Sequence, residues 1–135
     1  MNRQIKFRAL DLENHEWVHG YLGLESGKTV IIDTGDGNAT TKVDPATVGE
    51  FSGLKDKNGV EVYEDDFVEF HEGDQKDVYL VQFKFGAFYL GHHEDAEYDE
   101  FMTFGMDWSN GPDSNQLLSR SVIGNIHQNP ELVNA

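Results

Sequence analysis

The pair Asn58-Gly59, set between runs rich in β-branched and aromatic residues, constrains this chain more than any other stretch. Both residues tolerate positive φ, which suits the tight turns whose twist matches paired strands, so strands are expected on either side. One runs in from Val48-Gly49-Glu50-Phe51. The other opens with Val60 and Val62, is interrupted by the polar turn Glu64-Asp65-Asp66, and resumes as Phe67-Val68-Glu69-Phe70. Tyr63, Asp65 and Asp66 are candidate partner-facing residues of that second turn, although a tight turn needs polar residues for its own sake.

The rest of the chain carries the same signals. Gln4 to Ala9 alternates with period two, which predicts a half-buried strand with Ile5, Phe7 and Ala9 inward and the cations Arg3, Lys6 and Arg8 outward. Trp17 to Leu22 is expected to pair with it antiparallel, and His19 reads as an ordinary strand residue. Thr29 to Ile32 and Thr40 to Val43 predict two further short strands. Asp44-Pro45 is an N-cap followed by proline at a first helical position, so one helical turn is expected before Gly49. Val78 to Phe83 and Ala87 to Leu90 predict a hairpin of two central strands around Gly86, and Ser121 to His127 a last strand ahead of a turn at Asn129-Pro130. Ser114 to Leu118 suits a brief helical turn. With no extended helical periodicity, the expected class is mainly β: a small, partly open barrel or a sandwich of about eight short strands, with at most one or two helical turns, in a single domain over 1–135.

Charge narrows the function classes. Ten basic against twenty-five acidic side chains leave a formal net charge of −15, and 85–119 holds seven acids with no lysine or arginine. Direct nucleic-acid binding through a broad basic face is disfavoured, because that affinity comes from cations that neutralise phosphates. A protein partner with a basic surface is the better match, against the plain alternative of solubilising charge. There is no cysteine, which removes disulfides and thiolate metal sites and fits a reducing cytoplasm. No apolar run reaches the length of a signal-peptide core or a membrane span, so neither export by that route nor membrane insertion is expected.

Catalytic and metal signatures are weak. The loop from Asp33 to Asn38 fails the calcium-loop pattern, with Gly35 and Gly37 where side-chain oxygens are required. His92, His93 and Asp95 are candidate metal ligands, yet their spacing matches no zinc, manganese or iron pattern, so no metal, cofactor or catalytic residue is assigned. Glu97, Asp99 and Glu100 extend the same acidic segment as candidate interaction residues. Phe101, Phe104, Met106 and Trp108 suggest a stretch laid on the core.

Three pieces of the chain together carry a family resemblance. Ile5-Lys6-Phe7-Arg8-Ala9, the run from Val48 through Gly59 with Val62-Tyr63-Glu64, and Val122-Ile123-Gly124-Asn125-Ile126 before Asn129-Pro130-Glu131-Leu132 resemble, in order and spacing, the YopX family of bacteriophage and prophage proteins. The family often has tryptophan where Leu10 stands and glycine where Asp65 stands, a turn that aspartate still permits because it tolerates the left-handed region. Ser26 to Lys42 and Glu72 to Ser119 lie outside the matched motifs. The resemblance implies a small β-rich, oligomeric protein of the bacterial cytoplasm and brings no catalytic residues with it. The resulting expectation is a non-enzymatic module that assembles with itself and binds a host or phage protein. The alternatives are an acidic decoy for a basic DNA-binding host protein and, from another class, a metal-dependent hydrolase using His71, His92 and His93.

Overall fold

The computed structural model describes residues 5–72, 74–84, 87–91, 116–117 and 120–134. They are mainly β: eleven strands and three 3-10 turns, with no α-helix among the described residues. The chain forms two compact units, Met1–Phe51 and Ser52–Ala135.

In the first unit, β1 (Phe7–Leu10), β2 (Trp17–Glu25), β3 (Lys28–Asp33) and β4 (Ala39–Lys42) follow one another as antiparallel neighbours. β2 is long because it serves two partners in turn: Trp17 to Gly20 pair with β1, and Tyr21 to Glu25 with β3. The changeover falls at Gly20, where an added Cβ would stand 2.2 Å from the Ile32 carbonyl oxygen. Only glycine lets the two backbones approach that closely. The sheet then curls, and Val43 meets Asp11 in an isolated antiparallel bridge. Leu12 N–H donates to the Lys42 carbonyl and Asp44 N–H to that of Leu10 beside it. Ala9, Ile31 and Val43 fill the interior, with Phe7, Val18 and Val48 packed on them. The start of β5 (Gly49–Asp56) pairs with Phe7 and Arg8 along the other edge of β1. The result is a partly open curl and not a closed barrel.

Two details of β1 differ from the expected strand. Ile5 is 54% exposed because the ladder begins only at Phe7. Arg8 is buried, its guanidinium 4.2 Å from the Trp17 ring centroid, and the Lys6 ammonium lies 5.0 Å from that of Phe51. Aromatic faces attract both cations, so the side chains lie over rings of their own unit.

In the second unit, the rest of β5 turns through Lys57-Asn58-Gly59 into β6 (Glu61–Tyr63), and a second turn leads to β7 (Asp66–Glu72). β11 (Arg120–Asn125), β7, β8 (Gln75–Lys84) and β9 (Ala87–Gly91) form a sheet in that order. β8 is internal as expected, whereas β9 ends the described order. Val68, Val81, Phe88 and Leu90 from this sheet pack with Leu54 and Val62 of the hairpin. Phe67 and Leu80, directly paired, are also fully buried. Ser114 to Leu118 holds no described helical turn. β10 (Gln116–Leu117) is a short strand parallel to Lys55 and Asp56, so pairing overrides local propensity there.

The central hairpin keeps its predicted place with a different turn. Gly59 alone in the loop has positive φ, +85°; its N–H donates to the Asp56 carbonyl at 3.0 Å, and Asp56 N–H donates to the Val60 carbonyl at 2.8 Å. This is the three-residue hairpin loop that ends in a left-handed glycine. Asp56 itself is fully buried. Its Oδ1 accepts from Asn58 N–H at 2.8 Å and Val60 N–H at 2.9 Å, and its Oδ2 from Val122 N–H at 2.9 Å on β11.

Two sets of substitutions test these assignments by urea unfolding. Nothing crowds an added Cβ at Gly59, so Gly59→Val carries mainly the left-handed backbone cost, about 1–2 kcal/mol. Gly20→Ala drives a methyl into a backbone carbonyl and is expected to cost more, about 3 kcal/mol. The reverse order would contradict the β2 changeover. Asp56→Ala strands three backbone donors and is expected to cost about 3–5 kcal/mol, whereas Asp56→Asn retains one carbonyl oxygen and should lose about 1–2 kcal/mol. Equal losses for the two Asp56 variants would mean that its carboxylate does not hold the loop and β11 together.

Candidate functional site

The expected interaction residues divide sharply. Tyr63 is 2% exposed and Asp66 1%, so burial withdraws both from the expected partner-facing surface. Their positions follow from the turn: Asp66 Oδ2 accepts the Tyr63 N–H at 2.8 Å, which closes the polypeptide over Glu64 and Asp65. Asp65 takes the left-handed φ of +75° that its place in the turn demands. Its N–H donates to the Val81 carbonyl, its own carbonyl accepts from Ile126 N–H, and its Oδ2 lies 3.0 Å from His127 Nε2. Asp65 is thus partly exposed but tied into the structure on both sides. His92, His93, Asp95, Glu97, Asp99 and Glu100, with Phe101, Phe104, Met106 and Trp108, lie outside the described residues. Among the described residues, no three His, Asp or Glu side chains converge as metal ligands. No described helix is long and apolar enough to cross a membrane.

A concave surface does occur in the first unit. An open groove of about 440 Å³ is lined by Leu22, Gly23, Leu24, Thr29, Pro45 and Val48. One wall is the outer half of β2, where Leu22 and Leu24 alternate onto a single face; across the ladder Leu24 stands opposite Thr29. The other wall is the 3-10 turn Pro45–Thr47 with its C-cap Val48. Asp44 Oδ1 accepts the Ala46 N–H at 3.0 Å, and proline at the first position needs no donor partner. The buried Thr47 hydroxyl donates to the Asp44 carbonyl at 2.7 Å and accepts from Leu10 N–H at 2.9 Å. That one side chain fastens the second wall to β1.

The groove has a restricted chemistry. Among the described residues that line it, five of six are apolar or glycine, and Thr29 brings the sole side-chain hydroxyl. Among the described lining residues no side chain ionises, so none of them can transfer a proton at neutral pH or bind a metal by charge. What the surface offers is apolar area: Leu24 is 77% exposed and Leu22 43%, with Tyr21, on the other face of β2, 51% exposed. Burying a leucine fully stabilises by about 1.5–3 kcal/mol, so Leu24 alone holds much unused association energy.

Sequence reasoning found both walls as local elements and missed the groove. The helical turn after Asp44 stands where the sequence predicts it, whereas β2 runs past the expected end at Leu22 to Glu25. A signal was present: Leu22-Gly23-Leu24 continues the strand alternation up to the Ser26-Gly27 turn. The curl that brings Pro45 and Val48 across from β2 left no local trace.

Comparison with known proteins agrees with this fold. No curated protein is similar to the chain at a significant level. Among solved structures, the crystal structure of protein EF1440 from Enterococcus faecalis is similar over 98% of this chain and 99% of that one, at 25% sequence identity and a TM-score of 0.52. The family model described as YopX protein matches residues 6–134, both ends and the centre alike, and the chain accordingly belongs to the YopX family.

Proposed function

We propose that this chain is a non-enzymatic, self-assembling interaction module, encoded by a phage or prophage and acting in the cytoplasm of a bacterial host. The observation that carries the reading is the open apolar groove on the first unit. Leu22 and Leu24 remain at the surface and line one continuous groove, whereas Val30, Ile31 and Val43 of the same unit are buried almost completely. Exposed apolar surface that is contiguous and concave marks association sites more often than single scattered residues do. The described lining residues carry no ionisable side chain, which favours binding as the work of this surface. The lack of cysteine suits a reducing compartment.

Charge favours a second reading for the other unit. Residues 1–51 carry eight acids and five cations, residues 52–135 seventeen acids and five cations. Such an imbalance would steer a basic DNA-binding protein towards the second unit, with an affinity that falls as salt rises.

Light scattering over a micromolar to millimolar series separates the two. Self-assembly through an apolar surface predicts a mass that rises with concentration and does not fall as salt rises, because salt screens the repulsion between acidic chains. A strict monomer throughout the series would overturn the self-assembling reading. Salt-sensitive capture of a basic protein by that monomer would favour the second.

A further inference from the structure

We infer that the groove on the first unit receives Leu24 of a second copy of this chain, in a two-fold contact where each copy gives one leucine and takes one. The inference rests on the self-assembling reading and names its surface. The patch holds both halves of a fit. Leu24 projects from β2 with 77% of its surface exposed, and beside it lies an open groove of about 440 Å³, larger than a leucine side chain. A two-fold interface needs this self-complementarity, because the same surface must be knob and hole at once.

Charge supports a second copy as the occupant. Two chains of net charge −15 repel each other, and contact is least opposed where that charge is thinnest. The first unit, with eight acids to five cations, carries little of the excess. At the hairpin tip next to Leu24, Glu25 stands directly opposite Lys28, so the polar margin offers both signs instead of one. Thr47 and Asp44 fix the far wall through hydrogen bonds within the unit, so the groove exists before a partner arrives. A preformed site loses less freedom on binding.

The test uses the full chain, with Leu24→Asp and Leu24→Met beside the wild type. Far-ultraviolet circular dichroism, and the melting temperature read at concentrations where the wild type is monomeric, should stay unchanged in both variants, because Leu24 is exposed in the single copy. The wild type is expected to reach a dimer reversibly as concentration rises. Leu24→Asp should raise the dissociation constant at least about tenfold, and Leu24→Met, which keeps an apolar knob, should stay near the wild-type value. If the wild type dimerises and Leu24→Asp dimerises equally well, this contact is wrong while self-assembly stands. If the wild type is monomeric at every concentration, both fall. Should Leu24→Asp abolish capture of some other protein by a monomeric wild type, the groove has a foreign occupant and the second copy is excluded.

Discussion

A carboxylate taken fully out of water costs several kcal/mol unless donors replace its hydration, and the Asp56 side chain meets that condition entirely with backbone. Its two oxygens accept from Asn58, Val60 and Val122, and its own N–H and carbonyl close the same hairpin loop. One residue therefore shapes the turn between β5 and β6 and attaches it to β11, 66 positions further along the chain. The hairpin presents Leu54 and Val62 to the core of the second unit, and that packing depends on the turn being held in one geometry. Charged hydrogen bonds contribute about 1.5–3 kcal/mol each, so three of them are large beside the 5–15 kcal/mol by which a domain is stable.

The same device recurs along the unit. Asp66 holds the next turn through the Tyr63 N–H. Asn125 caps the turn after β11, its Oδ1 accepting from His127 and Gln128 N–H, while its N–H donates to Asn129 Oδ1. Asn129 fits there only because Gly124 lacks a side chain: an added Cβ would stand 2.5 Å from Asn129 Oδ1. Short polar side chains that hydrogen-bond to nearby backbone are turn formers for this reason. The family motifs at Val48 to Glu64 and Val122 to Leu132 thus coincide with two fastened turns, which explains why a fold signature is concentrated there.

Local chemistry made the strands legible and closure made the rest opaque. Asn58-Gly59, Asp44-Pro45 and the alternation of Phe7 and Ala9 are short-range signals, and the elements they predict stand where expected. Nothing local marks Asp56 for its role, because its third donor, the Val122 N–H, is distant in sequence. Ser114 to Leu118 misled for a related reason, since only the parallel pairing with Lys55 and Asp56 makes Gln116 and Leu117 a strand. At the candidate site, both walls were partly readable. Their juxtaposition depends on the curl closed by Asp11 and Val43, which no local pattern encodes.

Where the polar side chains went bears on function. Thr47, Ser52, Asp56, Asp66 and Asn125 are buried, and each accepts a hydrogen bond from a backbone N–H of its own unit. Catalytic groups are recognised by the opposite habit, a polar side chain held by its neighbours yet aimed into a cleft. These five are committed to turns and walls, and the groove whose wall Thr47 fastens presents almost pure hydrocarbon from its described lining residues. The division suits the proposed binding role: hydrogen bonds inside the units fix the geometry, and apolar area left outside, above all Leu24, would supply the free energy of association.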